Sequence, residues 1–149
     1  MNHSKNIQIV LEILKNEVDG DIQSALEKMS SGYSMTWVYQ TKDDVLFPTT
    51  NHDLQQKMQA VYVIKGRAYD IRNIAESENV VMIEMIESYP DPKTGQVYRT
   101  PQVIVLELES EKIIRGRHYT DPRLSYKELS SEKIESEVFK GAKSKLIIN

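Results

Sequence analysis

The second half of the chain leaves little freedom in the choice of fold. Residues 68–76, 80–89, 97–109 and 112–120 each carry the two-residue apolar–polar rhythm of half-buried strands. They are separated only by Ser77-Glu78-Asn79, by Pro90-Asp91-Pro92-Lys93-Thr94-Gly95-Gln96 and by Ser110-Glu111. A parallel crossover needs roughly a dozen residues, so connectors this short join antiparallel neighbours. Four consecutive strands therefore form a meander.

An antiparallel meander has one face to bury, and the first half of the chain supplies the cover. Ile7, Val10, Leu11, Leu14 and Val18 fall on one helical face behind Ser4 as N-cap, and Asp19-Gly20 closes that helix. Asp21 caps a second helix carrying Ile22, Ala25, Leu26 and Met29, which stops at Ser30-Ser31-Gly32. Residues 33–39 are aromatic and β-branched enough for a strand, and hold the single tryptophan, Trp37. A polar loop runs through Pro48. Asn51 then caps a third helix with Leu54, Met58, Val61 and Tyr62 on its buried side, ended by Lys65-Gly66. Helices first and strands after is the order of an α+β domain. Beyond Arg123, Ser130 or Ser131 caps a further helix with Ile134, Val138 and Ala142, and Leu146-Ile147-Ile148-Asn149 follows. The reading is a domain over 4–122 and a helical C-terminal extension over 123–149, packed on the domain or on a partner.

A chain of 149 residues suits one domain with a substantial core. A net charge of -3 argues against a general nucleic-acid surface, which needs clustered Lys and Arg. With no cysteine there are no disulfides or thiolate metal sites. The three histidines, His3, His52 and His118, show no ligand spacing, so no metal is expected. No phosphate loop, dinucleotide fingerprint or nucleophile elbow is present, and no cofactor is expected. The N-terminus lacks a signal peptide's apolar core, and no apolar run approaches the roughly 18 residues of a membrane span. A cytoplasmic protein without membrane contact is the expectation.

Chemistry concentrates at the end of the last meander strand, Arg117-His118-Tyr119-Thr120-Asp121-Pro122. Period two puts His118 with Gly116 and Thr120 on one face, and Arg115, Arg117, Tyr119 and Asp121 on the other. The two arginines read as a solvated or dimer-facing stripe. Facing a concavity, His118 is a general acid/base or a ligand hydrogen-bond donor; otherwise it is a histidine satisfied by a neighbouring group. Asp121 is a second catalytic candidate, or a turn residue ending the strand before Pro122. Val81, Ile83 and Met85 form a uniformly apolar core set, which leaves Met82, Glu84 and Ile86 on the opposite face. That face is either a pocket or a dimerisation surface. A carboxylate mid-strand is costly unless paired, and a Glu84–His118 pair would raise the histidine pKa and orient its ring. Trp37, Tyr39, Tyr62 and Met82 read as ligand-binding walls or as core.

The element order, a helical hairpin, a strand, a third helix and a four-stranded meander, resembles the cone-shaped α+β barrel of the nuclear-transport-factor-2-like superfamily. Arg99-Thr100-Pro101 entering a strand, then Leu106-Glu107-Leu108-Glu109-Ser110-Glu111-Lys112-Ile113-Ile114-Arg115, is similar to that family's hairpin before a Lys-Ile-Val-Arg type strand. Arg117-His118-Tyr119-Thr120-Asp121-Pro122 resembles the Arg-Asp-Tyr-x-Asp ending of its SnoaL-like polyketide cyclase branch and of limonene-epoxide hydrolases. The resemblance spans 4–122. It implies three N-terminal helices on a curved, mainly antiparallel sheet, a homodimer through the sheet, and a pocket for a small apolar or polar-aromatic ligand.

It also implies a pocket aspartate acting as acid or base, and His118 stands at that position. The arginine-bridged carboxylate pair of the epoxide hydrolases finds no second carboxylate on this strand. The ketosteroid isomerase base position falls in Val38-Tyr39-Gln40-Thr41, which argues against that activity. The function so implied is small-molecule binding with cofactor-free proton transfer of cyclase, isomerase or hydrolase type, using His118 with Glu84 and Asp121. The alternative is a non-catalytic dimeric module for ligand binding or interaction.

Overall fold

The meander forms as its connectors require. In the computed structural model, which describes residues 2–124 and 129–149, β3 (Ala68–Ser77), β4 (Val80–Pro90), β5 (Val97–Glu109) and β6 (Lys112–Tyr119) are successive antiparallel neighbours. At the β5–β6 turn both Ser110 and Glu111 have positive φ, 49° and 61°, the geometry whose twist matches a tight hairpin. β1 (Met29–Trp37) lies parallel to β6 and sets Trp37 opposite His118. Short β2 (Thr49–Asn51) and β7 (Leu146–Ile148) complete a seven-stranded sheet in the order β2-β1-β6-β5-β4-β3-β7. Register shifts between Met29 and Ser34, Ile71 and Asn73, and Glu107 and Leu108 interrupt the ladders. Such irregularities bend strands, and the sheet curves without closing.

α1 (Lys5–Asp19) is capped by the Ser4 side chain and ends at Gly20, whose φ of 76° suits a residue without Cβ. It buries Ile9, Val10, Ile13 and Leu14 against one face of the sheet. α2 (Ile22–Glu27), capped by Asp21, adds Ile22, Ala25 and Leu26. From the sheet come Tyr33, Ile71, Val81, Ile83, Met85, Ile104, Leu106, Leu108 and Ile113. Burying each large aliphatic side chain contributes roughly 1.5–3 kcal/mol, so the helix-covered face holds the molecule together.

Three local expectations are corrected. The second helix stops at Glu27, because Ile113 N–H bonds to Lys28 O and Met29 already pairs with Ile113 in the sheet. The third helix is capped by Asn51 as read, but it breaks at Met58 (φ −114°, ψ 29°) into α3 (His52–Lys57) and α4 (Gln59–Tyr62). Helical spacing across that break no longer defines one face. Leu54, Met58 and Val61 are exposed, while Gln55 is buried.

The C-terminal extension is a helix only in part. Ser130 caps α5 (Ser131–Lys133), which continues as a π-helical turn, Ile134–Phe139, before the chain returns as β7 beside β3. Ile134 and Phe139 bury against Ile86 on the sheet's outer face, and Val138 is exposed. The irregularity between Ile71 and Asn73 turns Arg72 onto the same face. Only 4% exposed, its guanidinium binds Asp70, Glu135 and the Ala142 carbonyl and lies 4.5 Å from the Phe139 ring centroid.

Candidate functional site

Between the helices and the covered face lies a cavity of about 370 Å³. Inward-facing positions of the strands build most of its wall. β1 and the residues after it supply Tyr33, Met35, Trp37 and Tyr39; β4 supplies Met85, Glu87 and Tyr89; β5 supplies Gln102, Ile104 and Leu106; β6 supplies Ile113 and His118. Ile13, Leu14 and Glu17 come from α1, Gln55 and Tyr62 from the third helical segment, Ile64 and Arg67 from the approach to β3, and Tyr69 from β3 itself. Gly116 keeps this wall thin. A Cβ there would lie 2.6 Å from Met35 Cε and 2.9 Å from Leu106 Cδ2, so its absence lets those two side chains meet across β6.

Polar groups are concentrated within this aromatic and thioether wall. Tyr69 Oη donates to Glu17 Oε2 at 2.8 Å. Arg67 Nε lies 3.2 Å from Glu87 Oε1, with side chains 9% and 16% exposed. Glu87 accepts from the Gln102 amide, so Gln102 Oε1 is the acceptor for His118 Nε2–H at 2.7 Å. Neutral His118, Gln102, Glu87 and Arg67 thus form one chain. Burial pushes the Glu17 and Glu87 carboxyls up, opposed by Arg67 in both and by Tyr69 or Gln102 respectively. Burial drives His118 down to about 4, so its ring is uncharged at neutral pH. Tyr69 is pushed up by burial and by the adjacent Glu17, and stays a phenol.

Among the described residues two buried polar atoms in the wall lack hydrogen bonds: Gln55 Oε1 and Arg67 Nε, the latter poorly aligned with Glu87 despite its proximity. Both residues also border a side chamber of about 20 Å³, shared with Glu17, Tyr62 and apolar residues of α2. Tyr62 Oη is 3.1 Å from Thr50 Oγ1. Among the described residues no three or more His, Asp or Glu side chains converge in a way that could hold a metal ion.

The structure divides the residues singled out from the sequence. His118, Trp37, Tyr39 and Tyr62 line the cavity, with the Trp37 and His118 ring centroids 6.1 Å apart. Glu84, Met82 and Asp121 do not. The Glu84–His118 pair is not formed: Glu84 sits opposite Val103 and His118 opposite Ile104, and successive β5 residues face opposite sides of the sheet. Glu84 instead accepts from Asn73 Nδ2 at 2.5 Å on the outer face, where Met82 is 38% exposed. Asp121 is a turn residue, accepting from the Arg123 backbone N–H at 2.9 Å and from its guanidinium.

The cavity carboxylates were missed although a signal existed. The period two that assigns Val81, Ile83 and Met85 to the core continues to Glu87. In α1, Glu17 follows Val10, Ile13 and Leu14 at helical spacing on the buried face.

No known family model and no curated protein matches this sequence. Solved structures do match. A protein from Jannaschia named for SnoaL-like polyketide cyclases aligns at 16% identity over 83% of this chain and 92% of that one, with a TM-score of 0.62. An LEH-like epoxide hydrolase from M. tuberculosis aligns at 16% identity over 84% and 89%, again at 0.62. An NTF2-like protein of unknown function from Cytophaga hutchinsonii aligns at 13% identity over 83% and 95%, at 0.59. The chain has the NTF2-like fold. At these identities the likeness is one of architecture, and it agrees with the α+β resemblance read from the sequence. In this NTF2-like chain the cavity occupies the space between helices and curved sheet, and the outer sheet face carries Glu84 and the C-terminal extension.

Proposed function

We propose that this NTF2-like chain binds a small, largely apolar molecule in its cavity and moves a proton on it without a cofactor, with Glu87 as the acid–base group. The observation that supports this most directly is the setting of Glu87, a carboxyl buried beside Arg67 in an aromatic cavity and pushed above its ordinary range. Such a carboxylate can take a proton from a carbon next to a ligand carbonyl and return it at another position. His118 is the group the sequence puts forward for this role. Neutral, and committed through Nε2–H to Gln102, it serves instead to hold the Gln102 amide on Glu87. The names of the structural neighbours, cyclase and epoxide hydrolase, fit a fold that carries cofactor-free acid–base chemistry, but fold alone does not assign the reaction.

Trp37 is the only tryptophan and lies in the cavity wall, so its emission reports occupancy. In a panel of small aromatic ketones in D₂O, those that shift Trp37 emission are expected to exchange their α-protons faster with the protein than in buffer, followed by ¹H NMR. Glu87→Gln should retain the emission shift and lower the exchange rate by about 100-fold or more. Bound ketones that exchange only at the buffer rate would show that the cavity binds without catalysing.

A further inference from the structure

The acid–base reading places one end of a ligand at Glu87 and leaves open what the other end must carry. Three independent features constrain it. The first is charge. Among the described residues Glu17 and Glu87 share the wall with a single guanidinium, Arg67, and His118 brings no charge. Arg67 acts on both carboxylates, so its charge is already answered. A further anion would join two acidic groups in a space with one cation. The second is the unpartnered acceptor, Gln55 Oε1. Gln55 is 9% exposed and lines both the cavity and the side chamber. A buried acceptor without a donor is destabilising, and an N–H or O–H supplied by a ligand would satisfy it. The third is the wall itself, which contains Trp37, Tyr33, Tyr39 and Tyr62, and aromatic rings attract a cation placed over their faces.

We propose that the ligand of this cavity is an organic amine, whose aromatic or aliphatic body lies against Trp37 and Tyr39 and whose ammonium group enters the side chamber to donate to Gln55 Oε1 and Glu17. The chamber's volume of about 20 Å³ suits a single water-sized group, and an ammonium is that size with three donors to offer. Glu17, Gln55, Arg67 and Tyr62 border both spaces, so a molecule can fill both at once. No atom of the proton-transfer step is displaced, since Glu87 borders the main cavity and not the chamber. The proposal rests on the cavity being a ligand site, and it names the substrate class for that site.

Phenethylamine, phenethyl alcohol and phenylacetate share a body and differ in the charge of their head group. At neutral pH their affinities are read from Trp37 emission and by calorimetry. The amine is expected to bind about tenfold more tightly than the alcohol, with phenylacetate weakest. Gln55→Leu, which removes an unsatisfied buried acceptor and should leave the melting temperature intact, is expected to bring the amine down to the alcohol. Glu17→Gln should do the same. Equal affinities for amine and alcohol, the outcome if the chamber simply holds a water on Gln55, would overturn the proposal. So would a preference for phenylacetate, a Gln55→Leu variant that binds the amine undiminished, or no binding by any of the three. Amine selectivity without α-proton exchange in the ketone panel would reject the catalytic reading and keep the amine site. Exchange without amine selectivity would do the reverse.

Discussion

His118 owes its state to where period two puts it. Its side chain points inward and bonds to the neutral Gln102 amide, and desolvation lowers its pKa from 6.5 to about 4. Between those two values the unfolded chain binds a proton that the folded chain refuses. The stability protected by neutral His118 is therefore complete above about 6.5 and is lost as pH falls towards about 4. Glu17 and Glu87 act with the opposite sign: their raised carboxyls favour the fold at low pH, and that contribution is lost as pH rises through their folded values. His118→Gln keeps an amide donor for Gln102 and removes the titration. It is expected to flatten the fall in melting temperature between about pH 7 and about pH 5, measured by calorimetry. An equal fall in both proteins would contradict the buried, neutral state. What was legible in the sequence was that His118 shares a strand face with Gly116 and Thr120, not that this face is the inner one. Its partner was not legible either, since a hydrogen bond to Gln102 depends on the β5–β6 register, which sequence spacing leaves open.

At the level of elements, the parts with strong periodicity and short connectors could be read directly, and the parts decided by tertiary contacts could not. The four meander strands are found within a residue or two of their expected ends, and Ser4, Asp21, Asn51 and Ser130 all cap the helices they precede. The break at Met58 and the strand Leu146–Ile148 carry no such local mark. The strand exists because the C-terminal extension is held in place upstream, by Ile134 and Phe139 on Ile86 and by Arg72 on Glu135. Ile134→Ala is expected to cost about 3 kcal/mol in denaturant unfolding, as for a fully buried aliphatic. Amides of β7 and β3 should lose hydrogen-exchange protection with it. A loss below about 0.5 kcal/mol would mean that the extension adds little to the fold.

For the molecule as a whole, the outer sheet face is the surface on which the homodimer expected from the sequence would form. The extension covers Ile86 and the β3 end of that face. Met82 and Tyr119, 38% and 43% exposed, remain with half-buried Val103 and Val105, beside Glu107 held by Arg115 at 2.9 Å and Arg117 at 2.7 Å. The homodimer expected from the sequence would have this remaining surface to use. Under that expectation the parent protein should sediment as a dimer and Val105→Arg, which places a charge at the centre of the surface, as a monomer with unchanged circular dichroism. A monomeric parent would dispose of the expectation.

The parallel pairing of β1 with β6 bears on how the molecule comes into being. Every other long ladder joins strands adjacent in sequence and can zip from its own turn, whereas Trp37 and His118 are brought together across most of the domain. Loop-closure entropy penalises that contact most and rewards it last. On the ribosome, Trp37 emerges long before the strand it must lie against. The cavity, walled by both strands, thus cannot close before β6 is made, and ligand can act only on chains in which β1 and β6 have already met.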